Sequence, residues 1–303
     1  MKKVALVGGN GYIGRSLYSM LAFRDDVEVV PVSREELWSE SLDAISKEAD
    51  VLVNCAGYVG KPNVDACQNP NVWTDLVTAN AHLPKRLRTY AENHDCELVH
   101  ISSGCIFQGI MSQSGFPALE LNHGESWWKH GWEESRTPNF SGSKYAESKI
   151  LGEVALGEME KAYILRPRMP FCGNTTTKNL LMKLKNYRVI VDAWNSVTSV
   201  REFCNSICGV ITKPIRYGTY NLCHNIPVRN TDIIGMMVEQ GFHDGDFEVV
   251  SPESFNAVAE AERSFTILDC RKSILSGIGM TEDPTALLTE SIHSMSRSTL
   301  STT

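Results

Sequence analysis

Short runs of apolar residues alternate with longer amphipathic stretches through the first half of the chain. Five such runs occupy residues 4–8, 27–32, 51–54, 97–102 and 162–166. Continuous apolar runs of this length are typical of strands buried on both faces, and the helical patterns between them indicate parallel crossover connections. The pattern therefore predicts an α/β fold with a doubly wound parallel sheet of the Rossmann type.

The hydrophobic pattern becomes less regular after about residue 167. It predicts a short strand at 218–223 and four helices, near residues 177–186, 201–212, 230–240 and 284–296. We therefore expect a Rossmann domain over residues 1–166 and a smaller C-terminal mixed α/β substrate lobe over 167–296. Some strands and helices of this lobe are expected to return to the Rossmann core. The polar residues 297–303 are expected to form a frayed tail.

The segment between Phe107 and Pro138 has no clear period and is long for a plain connection in a compact domain. It is polar and contains Trp127, Trp128 and Trp132. We interpret it as a candidate lid or substrate loop. Its tryptophans either pack on a ligand or anchor the loop, and the sequence does not choose between these alternatives.

The composition is that of an ordinary globular protein, with 42% hydrophobic and 21% charged residues. A formal net charge of −7, without a run of Lys or Arg, argues against a surface for nucleic acid or an anionic membrane. The nine cysteines form no CxxC pair and no zinc-ligand spacing, so reduced thiols and no metal site are expected. Because no apolar stretch of about 18 residues occurs, we expect a cytoplasmic protein.

A glycine-rich loop, GGNGYIG, follows the first predicted strand directly and leads into an amphipathic stretch. A strand, a glycine turn and a helix N-terminus in this order present backbone N–H groups and a positive dipole end to a pyrophosphate. This placement predicts a dinucleotide-binding site. The loop residues assigned to it are Gly8, Asn10, Gly11, Tyr12, Ile13 and Gly14.

The second predicted strand is followed by Ser33 and Arg34. NAD-specific Rossmann folds usually carry an acidic residue here for the ribose hydroxyls. A hydroxyl and a guanidinium suit a 2′-phosphate instead, which favours NADPH over NADH. The alternative is that Arg34 is only a solvated charge at the start of a helix.

Three residues together indicate reduction of a ketone. Tyr145 and Lys149 are four apart and therefore share one helix face, and Ser103 follows the fourth predicted strand. Parallel sheets place their ligand crevice at the carboxyl ends of the strands. We expect Tyr145 to donate a proton to the ketone oxygen, Lys149 to favour its ionisation and anchor the cofactor ribose, and Ser103 to donate a second hydrogen bond.

With these motifs the chain resembles the extended short-chain dehydrogenase/reductase family. The segment NCAG at 54–57 is similar to a family element in which Ala56 and Gly57 flank the cofactor, and Asn80 lies where a structural asparagine is usual. Within the family, the closest resemblance is to the dTDP-4-dehydrorhamnose reductase branch, and there to UDP-4-keto-6-deoxyglucose 3,5-epimerase/4-reductases. The stretches that carry it are GYVGKPNVDAC, SSGCIF, WEESRTPNFSGSKYAESK and TKNLLMKLKNY.

The resemblance implies a bifunctional enzyme that forms UDP-L-rhamnose with NADPH, in which Cys105 and Lys183 carry out epimerisation. This chemistry is consistent with a substrate whose C4 ketone acidifies the protons on C3 and C5, because inversion needs a base and an acid. The alternative is that Cys105 is a small core residue and Lys183 a solvated lysine. In that case the chain is a reductase alone, acting on an epimerised dTDP- or UDP-4-keto sugar.

The resemblance also implies residues for the nucleotide-sugar diphosphate. Arg263, Arg168 and Asn139 are assigned to substrate binding, and Arg166, which like Arg168 follows the strand bordering the site, is a further candidate. A structural salt bridge is the competing interpretation for each arginine. A homodimer is expected through helices at 72–93 and 138–155. A non-catalytic, NADP-binding regulatory subunit is a further possibility, against which the intact Ser103, Tyr145 and Lys149 argue.

Overall fold

The computed structural model describes residues 1–111 and 130–300. A parallel sheet of six strands lies at its centre, in the order β10-β5-β4-β3-β1-β2. This confirms the predicted doubly wound α/β fold. The strands of the sheet are β1 (Lys2–Val7), β2 (Val27–Val32), β3 (Val51–Asn54), β4 (Glu97–Ile101), β5 (Ala162–Arg166) and β10 (Gly218–Asn221).

Helices cover both faces of the sheet. Apolar side chains of α1 and α7, among them Leu17 and Phe203, form one core cluster with the strands. Leu87 and Leu156, from α4 and α5, belong to the cluster on the other face. The helices of this body are α1 (Tyr12–Ala22), α2 (Ser41–Glu48), α3 (Trp73–Val77), α4 (Leu83–Asn93), α5 (Lys144–Leu156) and α7 (Val200–Thr212).

The remaining elements form a smaller body around a separate apolar cluster that includes Leu181, Ile233 and Leu288. Its pairs of short strands were not predicted, because two- or three-residue strands carry no readable period. The strands are β6 (Pro170–Phe171), β7 (Val189–Val191), β8 (Trp194–Asn195), β9 (Thr198–Ser199), β11 (Val228–Arg229) and β12 (Glu248–Val250). The helices are α6 (Leu180–Asn186), α8 (Asn230–Glu239), α9 (Pro252–Asn256) and α11 (Thr285–Leu300), whereas α10 (Arg271–Leu275) packs against β10 of the large sheet.

Several elements of the second half of the chain, β10 and α7 among them, belong to the Rossmann core. Strand β10 pairs in parallel with β5, and α7 packs against α1. The helix α11 continues through Leu300, and residues 301–303 lie outside the described residues, so the frayed tail at 297–303 stays a prediction. Within the described ranges, no helix is long and apolar enough to cross a membrane.

The helices predicted at 72–93 and 138–155 differ from expectation at identifiable positions. A π-helical turn, Thr78–His82, separates α3 from α4. It holds Asn80, whose side chain bonds the Tyr58 backbone and the Ser148 hydroxyl. Helix α5 begins only at Lys144, because the extended residue Ser143 caps it by accepting a hydrogen bond from Ala146 N at 3.2 Å.

Most of the candidate lid, including Trp127 and Trp128, lies outside the described residues. Trp132 lies within them. Its indole donates hydrogen bonds to the carbonyls of Gln108 and Gly109 at 3.1 Å and stacks on Phe107 at 5.5 Å. Trp132 therefore anchors its end of the segment.

Candidate active site

The glycine loop joins β1 to α1 in a close turn. Gly8 has φ +78°, and a Cβ placed there would lie 2.5 Å from the backbone nitrogen of Ala56. A Cβ at Gly14 would lie 2.2 Å from the carbonyl oxygen of Gly8. Gly11 caps α1 without a side-chain hydrogen bond, so the N-terminus of the helix faces the loop. The absence of side chains therefore creates a cradle that fits a pyrophosphate.

Tyr12 and Ile13 line the cleft above this loop. The Tyr12 hydroxyl contacts Cys172 Sγ at 3.3 Å and the Pro170 carbonyl oxygen at 3.5 Å, linking the loop to the smaller body. Burial raises the pKa of this phenol. Asn10 is exposed, and its carbonyl accepts a hydrogen bond from Arg15.

Ser33 and Arg34 follow β2 on the surface. The Ser33 backbone N–H donates to Glu36 at 2.7 Å, and the Ser33 hydroxyl accepts from Glu36 N at 3.2 Å. These bonds lower the pKa of Glu36, a neighbour that the sequence reasoning missed. Among the described residues no carboxylate forms an ion pair with the exposed Arg34, so its guanidinium is available to an anion.

The carboxyl end of β3 forms the next wall of the cleft. Asn54 accepts a hydrogen bond from Ala56 N at 3.0 Å, which shapes the turn. A Cβ at Gly57 would lie 3.1 Å from Asn80 Oδ1. Asn80 thus has the structural role expected of it, holding the backbone that leaves β3 against α5.

Ser103, Tyr145 and Lys149 converge at the carboxyl end of β4. The Ser103 hydroxyl accepts a hydrogen bond from Cys105 N at 3.1 Å and caps the 3-10 turn Gly104–Ile106. Tyr145 lies in the first turn of α5, and the Lys149 ammonium, one turn later, donates to the Ile101 carbonyl oxygen at 2.9 Å. The three side chains line one cleft.

The pKa values in this group are governed by burial. Burial and the neighbouring Cys105 raise the pKa of Tyr145, while its hydrogen bond with Ser103 lowers it. Burial lowers the pKa of Lys149 to about 8, and Glu153 acts in the opposite direction. The raised pKa keeps the phenol protonated at neutral pH, and the effect expected of Lys149 on Tyr145 stays a prediction.

Two cavities meet at these residues. An outer cleft of about 460 Å³ runs along the glycine loop, and an inner cavity of about 210 Å³ extends into the smaller body. Four side chains with ionisable groups line both of them: Cys105, Tyr145, Lys178 and Lys183. The sequence reasoning did not single out Lys178, although it lies in the stretch TKNLLMKLKNY.

Cys105 and Lys183 are brought together across this junction. Burial lowers the pKa of Lys183, while the nearby Cys105 raises it and Arg263 lowers it. Arg168 forms part of the inner wall, and its Nη1 donates to Cys105 Sγ at 3.1 Å. A thiol, a lysine and a phenol therefore surround the point where the two cavities meet.

The other two candidate arginines for substrate binding, Arg263 and Arg166, have carboxylate partners. Arg263 lines the inner cavity but forms a two-bond ion pair with Asp65, both bonds at 2.8 Å. Burial opposes ionisation of Asp65, yet Arg263 holds its pKa below the usual range. Arg166 forms a buried ion pair with Glu153 and lines neither cavity.

Asn139 is not brought to the cavities. It is exposed, and its amide accepts from Gln108 N at 2.9 Å and donates to Gln108 O at 3.2 Å. All nine cysteines are free thiols. Within residues 1–111 and 130–300, no group of three or more His, Cys, Asp or Glu residues is arranged to hold a metal ion.

The family model described as the RmlD substrate binding domain matches residues 1–291. The chain belongs to this family. A bifunctional dTDP-4-dehydrorhamnose 3,5-epimerase/dTDP-4-dehydrorhamnose reductase of Arabidopsis thaliana is 31% identical over 195 residues, which is 64% of this chain. The match spans 60% of the length of that relative.

Solved structures of RmlD-like proteins share the fold. The L780 UDP-rhamnose synthase of Acanthamoeba polyphaga mimivirus superposes with a TM-score of 0.82 at 21% identity, covering 97% of this chain and 99% of that one. A dTDP-4-dehydrorhamnose reductase of Bacillus anthracis, in complex with NADP, superposes with a TM-score of 0.73 at 19% identity. Coverage in that case is 96% of this chain and 98% of the other.

Proposed function

We propose that this chain is an NADPH-dependent 3,5-epimerase/4-reductase that converts UDP-4-keto-6-deoxyglucose to UDP-L-rhamnose. The observation that carries the proposal is the junction of the two cavities, where the proton donor for reduction, Tyr145, lies beside Cys105 and Lys183. One sugar ring bound there would meet the residues for both reactions. The epimerase and reductase activities in the name of the plant relative support the same pair of reactions.

The outer cleft is assigned to the cofactor. The glycine cradle and the N-terminus of α1 would hold its pyrophosphate, Ala56 and Gly57 would flank it, and Lys149 would bind the nicotinamide ribose. Arg34, and Ser33 with its hydroxyl, would meet the 2′-phosphate. When bound, NADPH supplies a hydride to the ketone carbon.

Reduction needs a proton on the ketone oxygen. Tyr145 holds its proton at neutral pH, because burial raises its pKa, and it can release that proton to an oxygen that becomes an alkoxide. Ser103, which lies near enough to the phenol to lower its pKa, would orient it. The Lys149 ammonium, fixed by the Ile101 carbonyl, supplies positive charge behind the phenol as it ionises.

Epimerisation needs a base and an acid at C3 and at C5. The Cys105 thiolate takes the proton, the C–H electron pair moves to the C4 oxygen as an enolate, and an S–H bond forms. Lys183 then gives a proton to the other face of the same carbon, so that a C–H bond re-forms as the enolate collapses. Burial lowers the pKa of Lys183, which makes its ammonium a better proton donor than a solvated lysine.

The inner cavity is assigned to the nucleotide. Arg263 and Lys178 line it and would meet the diphosphate, while Phe255 provides an apolar wall for the base. Arg263 would share its charge between the substrate and Asp65. A homodimer through α4 and α5 stays a proposal from the family resemblance, with Leu151 and Val154 exposed on α5.

NMR of the product formed in deuterated water tests the proposal. Wild-type protein, UDP-4-keto-6-deoxyglucose and NADPH should give a rhamnose product with deuterium at C3 and C5. Cys105→Ala should lose deuterium incorporation, whereas Tyr145→Phe should keep it and lose reduction by about 10²-fold or more. If Cys105→Ala still incorporates deuterium, Cys105 is not the base and the proposal is reduced to a reductase without epimerase activity. If wild-type protein shows no turnover at all, a non-catalytic binding subunit is favoured.

A further inference from the structure

Arg168 is the largest side chain that is almost wholly buried in the described part of the chain, with 2% exposure. It lies just after β5, at the back wall of the inner cavity. Its Nη1 donates to Cys105 Sγ at 3.1 Å, and its Nη2 donates to Asn195 Oδ1 and to the Ser264 carbonyl oxygen. Its Nε is buried without a hydrogen-bond partner among the described residues. The guanidinium is therefore held in one orientation, aimed at the sulfur.

The charge of Arg168 is not balanced by a carboxylate in the described residues. Arg166, two positions earlier, has Glu153 at 2.6 Å, whereas the partners of Arg168 are an amide, a carbonyl and a thiol. A buried cation without an anionic partner costs several kcal/mol. Of the three partners, only the thiol can become an anion near neutral pH.

Other ionisable groups also face this sulfur. Tyr145 of α5 and Lys183 of α6 lie on the cavity side of Cys105, and Arg263 and Lys178 act on Lys183. Behind Arg168 lies the buried Cys223. Burial opposes ionisation of Cys223, but hydrogen bonds from Cys270 and Thr198, and the charge of Arg168, lower its pKa. Cys105 is the half-buried thiol of the two and faces the cavity.

We propose that Arg168 is a positioning residue for Cys105, which stabilises the thiolate and directs it towards the substrate, and that it is not a ligand of the diphosphate. The inference rests on the proposed function, in which Cys105 is the base. It explains why a guanidinium is buried here at all.

Alkylation of Cys105 by iodoacetamide, followed by mass spectrometry on the ligand-free full chain, tests the inference without turnover. Arg168→Gln should slow alkylation of Cys105 at pH 7 by about tenfold or more and move the half-maximal rate to higher pH, because thiolate is the reactive form. Arg168→Lys, which keeps a cation, should restore much of the rate. Cys96→Ala is the control, since it removes a buried thiol from the cluster on the other face of the sheet and should leave alkylation of Cys105 unchanged.

A second variant tests the same inference in case Arg168→Gln does not fold. Asn195→Asp keeps the guanidinium and nearly the same volume, but it gives Arg168 a carboxylate at the atom it already contacts. The competing anion should slow alkylation of Cys105, with NADPH binding retained. Unchanged alkylation rates and pH profiles in both variants, in protein that still binds NADPH, would overturn the inference.

The same variants separate this inference from the proposed function. If alkylation depends on Arg168 but wild-type protein incorporates no deuterium at C3 and C5, the coupling of Arg168 to Cys105 stands and the epimerase proposal fails. If Cys105→Ala abolishes deuterium incorporation but the rate of Cys105 alkylation is the same in wild type and the Arg168 variants, the epimerase proposal stands and the inference about Arg168 fails.

Discussion

Gly14 and Gly9 belong to one loop but differ in the space around them. A Cβ at Gly14 would lie 2.2 Å from a backbone oxygen, whereas at Gly9 it would meet only the Leu6 side chain, at 3.5 Å. We predict that Gly14→Ala displaces the loop and weakens NADPH binding at least tenfold, about 1.4 kcal/mol. Gly9→Ala, the matched control, should bind within about twofold of wild type. Titration calorimetry measures both, and equal affinities would refute the assignment of the loop.

The residues predicted to be catalytic lie together in the structure, whereas the residues predicted to bind substrate do not all do so, and the roles of both groups stay predictions. Ser103, Tyr145, Lys149, Cys105 and Lys183 all line the outer cleft, as their spacing and the family resemblance implied. Spacing succeeds there because the turn after a strand and the first turns of a helix have nearly fixed geometry. The ion-pair partners of the arginines depend on residues that are distant in the sequence, so no local pattern reveals them. The same holds for the hydrogen bonds between Asn139 and Gln108.

At the scale of elements, the ion pair between Arg166 and Glu153 joins β5 to α5. Both side chains are at most 10% exposed, and two hydrogen bonds of 2.9 and 2.6 Å connect them. We predict that Arg166→Met lowers the free energy of unfolding by about 3–5 kcal/mol, because it leaves the Glu153 carboxylate buried without its partner. Urea denaturation measures the change.

An exposed pair of the same chemistry provides the control. Arg188 and Asp244 also form two hydrogen bonds, at 2.8 and 2.9 Å, with both side chains 57% exposed. Arg188→Met should cost at most about 1 kcal/mol, since water screens and replaces the contact. Similar losses of unfolding free energy in the two variants would show that burial does not increase the contribution of the Arg166 pair to stability.

Elements with a long, regular hydrophobic pattern were predicted from the sequence, and short or interrupted ones were not. The five long strands and helices α7, α8 and α11 lie within a few residues of expectation. The π turn at Thr78–His82 was missed, because it depends on the contact of Asn80 with α5. The two-residue strands pair only because the smaller body brings them together.

At the scale of the whole molecule, the buried Lys149 makes stability depend on pH. Its pKa is about 8 in the folded state and 10.5 as a free side chain. Below pH 8 both states hold the proton, and burying the ammonium costs roughly 3 kcal/mol at about 1.4 kcal/mol per pKa unit. Between pH 8 and 10.5 the unfolded state binds more protons, so the free energy of unfolding rises with pH.

We predict that ligand-free wild type gains roughly 3 kcal/mol relative to Lys149→Met between pH 7.5 and 10.5, because the variant has no proton to lose. Urea unfolding across this range measures the difference. Lys85→Met, at an exposed position on α4, controls for the loss of one lysine charge. Parallel curves for wild type and Lys149→Met would contradict the lowered pKa.

The sequence by itself determined the features that depend on near neighbours. Hydrophobic period and chain order specified a parallel α/β sheet, the glycine loop specified a turn into a helix N-terminus, and the YxxxK spacing placed Tyr145 and Lys149 on one helix face. Each of these follows from backbone geometry over a few residues. They were sufficient to predict the fold class and the outer cleft.

Only the tertiary structure decided which buried charges are paired and which are not. Arg263 pairs with Asp65, which is 198 residues away in the sequence, and Arg166 pairs with Glu153, 13 residues away. Arg168 contacts Cys105, 63 residues away. It also returned β10 and α7 to the Rossmann core. Burial sets the free energy of an ionised group, and burial is the sum of contacts from distant segments, so the charge state of this site emerges only once the chain is folded.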